Sequence, residues 1–259
     1  MALFGYQNTM DGAATTLVAS SEIPGFLASM LRVPLGSSAT AWQTAPGVTS
    51  ASLTITAAVA VAWRALCLAR TNLTTAATIR VRVGTVANVL AAPLYDSGTI
   101  SAGVAVGIGQ ALHVLPAATS ALVMVVNIAD PANPDGFLSI PLAYAGPGIE
   151  AAISYTSDTG LEVRRADTTT RGGVVLTQPL SRARGWSLTL PMLRDSNIAW
   201  LDALEAVAAA GGNLLFVPRV GNALAAAESV FGLLQPGRRG FVSGSGHYRS
   251  WTATISERL

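Results

Sequence analysis

From residue 48 onward, apolar and polar positions alternate over short runs, and that period of two predicts β-strands. In Thr78-Ile79-Arg80-Val81-Arg82-Val83-Gly84, three aliphatic side chains point one way. Thr78, Arg80 and Arg82 point the other way, and Gly84 ends the run. Ser52-Leu53-Thr54-Ile55-Thr56 alternates in the same manner, and Val61 to Leu68 reads as a central strand. Ala111 to Pro116 is a short strand. Leu122-Val123-Met124-Val125-Val126-Asn127-Ile128 is a continuous apolar run, as expected of a strand buried on both faces or in a sandwich core. A turn cluster, Asp130-Pro131-Ala132-Asn133-Pro134-Asp135, then precedes Gly136 to Ile140. Several short strands separated by turn chemistry predict an antiparallel sandwich.

Residues 1–40 are a turn-rich lead-in, and Tyr144-Ala145-Gly146-Pro147-Gly148 marks a boundary. Residues 150–185 concentrate charge and read as an extended connector containing strand. Trp186 to Leu190 is a strand. Ile198, Leu201, Leu204, Val207 and Ala208 have helical spacing. They predict one main helix from Ile198 to Ala210, N-capped by Asp195 or Ser196 and ended by Gly211-Gly212. Leu214 to Val217, Ser229 to Leu234 and Tyr248 to Ile255 complete the strands. The expected fold class is mainly β: a sandwich over 1–147, then a connector and a small mixed β-α-β-β-β module over 148–259.

Composition narrows the partners. Charged residues make up only 12% of 259 residues, about half the usual share. A sparsely charged, Ala- and Thr-rich surface suits a subunit that buries much of itself in an assembly. The absence of lysine, with 16 arginines, also fits a high-GC coding sequence. Net charge is +2, and the pairs Arg164-Arg165 and Arg238-Arg239 are too short for a basic tract, so no nucleic acid is expected. The longest apolar stretch, Ala57 to Ala69, carries Arg64 and is too short for a membrane span. Met1 to Asn8 has neither a basic n-region nor an apolar h-region, so cytoplasmic synthesis is expected.

No catalytic pattern stands out, and the chain reads as a non-enzyme with no cofactor. Cys67, the lone cysteine, sits in a core strand pattern and reads as an inert thiol. His113 and His247 fall in different modules, with no metal-ligand spacing. Ser245 and His247 are two residues apart in a loop, a poor spacing for a nucleophile and its base. Asp96, Asp130 and Asp135 stand at turn positions, where an aspartate commonly bonds its own backbone. Gly103, Gly107 and Gly109 form a loop with no following lysine or helix, unlike a phosphate loop. Of the five tryptophans, Trp63, Trp186 and Trp251 lie in strand patterns and read as core. Trp200 flanks the core from the helix. Trp42, in a loop before a strand, is the aromatic best placed for a surface glycan contact, although a packing role is the favoured reading for it too.

Three stretches taken together resemble one family: Trp63 through Asn72-Leu73 to Arg82, Leu94-Tyr95-Asp96-Ser97-Gly98, and Phe137-Leu138-Ser139-Ile140 to Pro147. Their order is similar to that in discoidin-like, carbohydrate-binding-type jelly-roll domains of tailed-bacteriophage tail proteins. The C-terminal part, with its Trp186 strand, helix, Phe216-Val217-Pro218 and terminal Trp251 strand, is similar to a module of phage virion proteins and, more loosely, of distal tail proteins. The resemblance implies a jelly-roll sandwich in a virion structural protein of the tail tip or baseplate. Such a protein is assembled in the host cytoplasm, acts through homo-oligomeric contacts and contacts with other tail proteins, and touches the host surface. Arg80 and Arg82 are then the outer face of a scaffold, available to a neighbouring subunit. Two other functions compete with this expectation: a carbohydrate-binding module for host surface glycans and, third, a glycan-degrading enzyme.

Overall fold

The computed structural model describes residues 1–154, 156–242 and 248–258, the side chains of residues 164, 179–182 and 195 excepted. The chain divides into two units, Met1–Ala151 with Leu214–Phe231, and Ala152–Asn213 with Gly232–Leu259. Strand pairing is antiparallel throughout the described ladders, so the mainly β class expected from the alternation is the class observed.

In the first unit the early strands are β1 (Ala2–Gly5), β2 (Thr16–Ala19), β3 (Trp42–Gln43), β4 (Ser50–Ala69) and β5 (Thr78–Gly84). They are followed by β6 (Tyr95–Asp96), β7 (Ile100–Ser101), β8 (Ala111–Ala129), β9 (Ser139–Ile140), β10 (Leu142–Gly146) and β11 (Ile149–Ala151). The main sheet runs β10-β4-β8-β5-β6, with β2 on β4 and β7 on β5. Strand β5 behaves as its alternation requires. Ile79, Val81 and Val83 enter a large core with Leu53, Ile55, Trp63, Met124, Val126 and Ile128, while Arg80 and Arg82 face outward.

Two pairs of segments that read as separate strands are continuous. Ser52–Thr56 and Val61–Leu68 fuse into the 20-residue β4, and Ala111–Pro116 and Leu122–Ile128 into the 19-residue β8. The two register as partners, with breaks between Thr56 and Val61 and between Trp63 and Ala65. Bulges accommodate extra residues without ending a strand, and they tolerate a proline such as Pro116. At the break, the Trp63 indole Nε1 donates to the Ala121 carbonyl at 2.9 Å. Val123 and Val125, on the outer face of β8, are covered by Val89, so the run is buried on both faces as expected.

A second cluster explains why all five residues of β10 are buried. Ala143 and Ala145 face the large core, whereas Leu142 and Tyr144 join Leu3, Leu215, Val217 and Phe231 on the opposite side. Strand β1 lies between β11 and β14 (Asn213–Val217). The lead-in is thus not purely turns: all four residues of β1 are buried. Gly5 is required there, since a Cβ would sit 2.5 Å from the Tyr144 Cζ.

The second unit holds β12 (Asp158–Thr169), β13 (Val175–Arg194), α1 (Ile198–Ala209), most of β15 (Val230–Phe241) and β16 (Tyr248–Glu257). The short helix α2 (Ala225–Glu228) precedes β15 and belongs to the first unit. Strand order in the second unit is β15-β16-β13-β12. Alternate residues Leu188, Leu190, Trp251, Ala253 and Ile255 are buried, as are Leu201 and Leu204 of α1. Element order after residue 185 follows the sequence, but Leu214–Phe231 clusters with the first unit. Helix α1 starts after a 3-10 turn, Asp195–Asn197; Asn197 is the N-cap and makes no side-chain capping bond.

Candidate functional site

The structure gives Trp42 the packing role and rules it out as a glycan contact. Strand β3 pairs with β9, Trp42 opposite Ile140 and Gln43 opposite Ser139. This turns the Trp42 ring into the large core, where it is 1% exposed, and its indole Nε1 donates to the Ser21 carbonyl at 3.0 Å. A buried, satisfied indole has no face to offer a sugar.

A half-buried aromatic near that strand pair is Phe137. It follows Gly136, whose φ of +70° makes the turn that a side chain would strain. Around it three loops are tied together. Asn72 Nδ2 donates to Asp135 Oδ2 at 2.9 Å and to the Phe137 carbonyl at 2.8 Å, while Asn72 Oδ1 accepts from the Ser139 amide. Asn133 Nδ2 donates to the Asn72 carbonyl and to Asp130 Oδ2. Asp130 also accepts from the Thr74 amide and hydroxyl at 2.8 and 2.7 Å. Thr44 Oγ1 accepts from the Leu138 amide and donates to the Val48 carbonyl. The result is a fixed ledge of a half-buried aromatic, an exposed carboxylate pinned through one oxygen, and the amide of Gln43, with Asn72 spent on holding the loops together. Apolar ring plus directional acceptors and donors is the chemistry that fits a sugar, whose faces are C–H and whose rim is hydroxyl. The sequence marked Asp130 and Asp135 as turn residues and Phe137 as strand. The signal for the ledge is that an aromatic directly follows the turn.

Arg80 and Arg82 do lie on the outer face of β5, together with Asp96 of β6 and Asn127 of β8. Arg80 Nε donates to Asp96 Oδ1 at 2.9 Å, and Arg82 Nη2 to Asn127 Oδ1 at 2.8 Å. The hydrogen bonds from Arg80 push the Asp96 carboxyl down to about 2, helped by the Gly98 amide on Oδ1. That amide contact is the self-bonded turn expected at Asp96. His113 bonds the Tyr95 hydroxyl through Nε2 at 2.8 Å, and burial holds its imidazole below the ordinary value. Cys67 is buried. Trp63 and Trp251 are core, whereas Trp186 and Trp200 are half-buried. Ser245 and His247 lie outside the described residues. Among the described residues no group of three or more His, Cys, Asp or Glu could hold a metal, and no helix is long and apolar enough to cross a membrane.

The charged connector is a β-hairpin. Strands β12 and β13 pair from Asp158 with Ser187 to Thr169 with Val175, and β13 meets β16 only from Gly185 onward. Residues 161–183 therefore form an arm beyond β16, about 30 Å long at strand rise. Every described side chain from Asp158 to Gln178 is exposed, including Leu161, Val163, Val175 and Leu176.

No protein-family model matches the chain, and comparison with curated proteins finds no match. Solved structures do match over about half of it. One is chitosan-binding module 1 of a chitosanase/glucanase from Paenibacillus sp. IK-5, 19% identical, covering 54% of this chain and 99% of that one, TM-score 0.39. Another is a family 32 carbohydrate-binding module from C. perfringens NanJ, in complex with galactose: 16% identical, covering 53% and 96%, TM-score 0.40. A third is the lectin-binding domain of Lectinolysin complexed with Lewis b, 12% identical, covering 54% and 96%, TM-score 0.41. The matches named here are carbohydrate-binding proteins, not tail proteins. The mainly β, antiparallel class rests on strand pairing alone.

Proposed function

We propose that the chain is a binding protein rather than an enzyme, and that its first unit recognises carbohydrate through the Phe137 ledge. The observation that carries this reading is the hydrogen-bonded joining of three loops around a half-buried aromatic and an exposed carboxylate. A site already ordered before binding loses little entropy when it takes up ligand. Asp135 accepts from a pair of sugar hydroxyls, Gln43 adds a donor, and the Phe137 ring packs on the C–H face of the sugar. Screening the whole chain on a glycan array, with Phe137→Ala in parallel, tests this. Binding that is lost in the variant supports the reading, and identical profiles overturn it.

The exposed arm favours a second reading, that of a subunit in a larger assembly such as the tail tip or baseplate of a tailed phage. Large aliphatic side chains on a hairpin that its own chain leaves bare are suited to burial against a neighbour. The low charge content is consistent with this. In such a particle the outward Arg80 and Arg82 are a further surface available to a neighbouring subunit. Mass spectrometry of purified virions tests it: a particle lacking this chain overturns the tail-protein reading.

A further inference from the structure

The arm has two free edges. Strand β12 stands at the end of its sheet with β13 as its neighbour, and from Val175 to Ala183 the described partners of β13 are all on β12. An isolated two-stranded hairpin is marginal in water, and an open strand edge is a template for another strand. Leu161 and Val163 are 59% and 56% exposed and share one face of β12, with Val175 beyond them on β13.

The sequence of β12 is complementary to itself. Arg165 and Asp167 flank Ala166, and within one chain they pair side by side at 3.0 Å, both well exposed. If two copies lie antiparallel about a two-fold axis through Ala166, Arg165 of each copy falls opposite Asp167 of the other. The same register sets Val163 opposite Thr169 of the second copy. The pairing makes two ion pairs, extends the ladder hydrogen bonds and produces a four-stranded sheet, the contact being the same patch on both copies. A register with Arg165 on the axis would oppose like charges, which disfavours it.

We propose that the arm docks a second copy of this chain through antiparallel β12–β12 pairing centred on Ala166. The proposal rests on the assembly reading of the arm, narrowing its partner to the chain itself. It is tested by sedimentation velocity and equilibrium on the full chain, with Arg165→Glu and Asp167→Arg made separately. The wild type is expected to dimerise. Each variant alone places like charges opposite one another twice and weakens the dimer by about tenfold or more. An equimolar mixture of the two variants restores opposite charges at both contacts, so it regains a mixed dimer. Both positions are exposed, so the circular dichroism spectra stay at wild-type values. Wild type that stays monomeric up to its solubility limit overturns the inference. So do variants that dimerise as the wild type does, or a mixture that stays monomeric. If the monomeric wild type nonetheless joins a mixed assembly through the arm, self-pairing fails while the assembly reading stands.

Discussion

Replacing Trp42 separates a core role from a surface role. Burial of a large aromatic removes about 150–250 Å² from water, worth up to ~4–6 kcal/mol at ~25 cal/mol per Å². Truncations of Trp or Phe to Ala in packed cores cost about 3–5 kcal/mol. Trp42 is 1% exposed and packs in the same core as Leu138 and Ile140, so Trp42→Ala is expected in that range. For a chain of this size that corresponds to a fall in thermal midpoint of roughly 6–20 °C. Trp42→Phe keeps most of the apolar surface but strips the Ser21 carbonyl of its donor. A smaller loss of about 0.5–1.5 kcal/mol is expected, the net contribution of one such hydrogen bond. Urea unfolding followed by circular dichroism gives both numbers, and unchanged slopes show that the unfolded state is not the cause. The reasoning is refuted if Trp42→Ala costs less than about 1 kcal/mol. It is equally refuted if Trp42→Phe removes carbohydrate binding from a protein of wild-type stability.

Gly5→Ala drives a methyl group into the Tyr144 ring and is expected to cost about 1–3 kcal/mol in urea unfolding, with Tyr144→Leu recovering part of the loss in the double variant. Asp96 titrates near 2 in the folded chain, below its ordinary value, so its contribution to stability is present above pH ~4 and lost as pH falls from there toward 2. Carbon-13 NMR titration of the carboxyl is expected to show this midpoint in the wild type and a return toward the ordinary value in Arg80→Ala. An unchanged midpoint in that variant contradicts the assigned cause.

The alternation in β5 and the unbroken apolar run in β8 were legible because each follows directly from which faces are covered. The Ala57–Ala60 and Pro116 interruptions were not legible as bulges, since a register break depends on the partner strand. Strand β1 has four residues buried on every side, so it carries no alternation to detect. Trp42 stays open between packing and surface contact in the sequence for a related reason: its strand is two residues long, and its inward orientation is set by β9, far along the chain. The ledge is similar. Asn72 and Asp135 carry ordinary turn chemistry, and only folding brings that chemistry around Phe137. The arm reads as an extended, strand-containing connector but not as a hairpin, because its charge and its aliphatics both lie in the open.

Carbohydrate recognition by the ledge is tested most directly by calorimetric titration with the best ligand found on a glycan array. Wild type, Phe137→Ala and Asp135→Asn are compared at matched stability. The account predicts saturable binding by the wild type and at least about a tenfold loss in each variant, since one aromatic or one charge-assisted contact is worth that much. Wild-type affinity in both variants, or no ligand among the glycans, contradicts it.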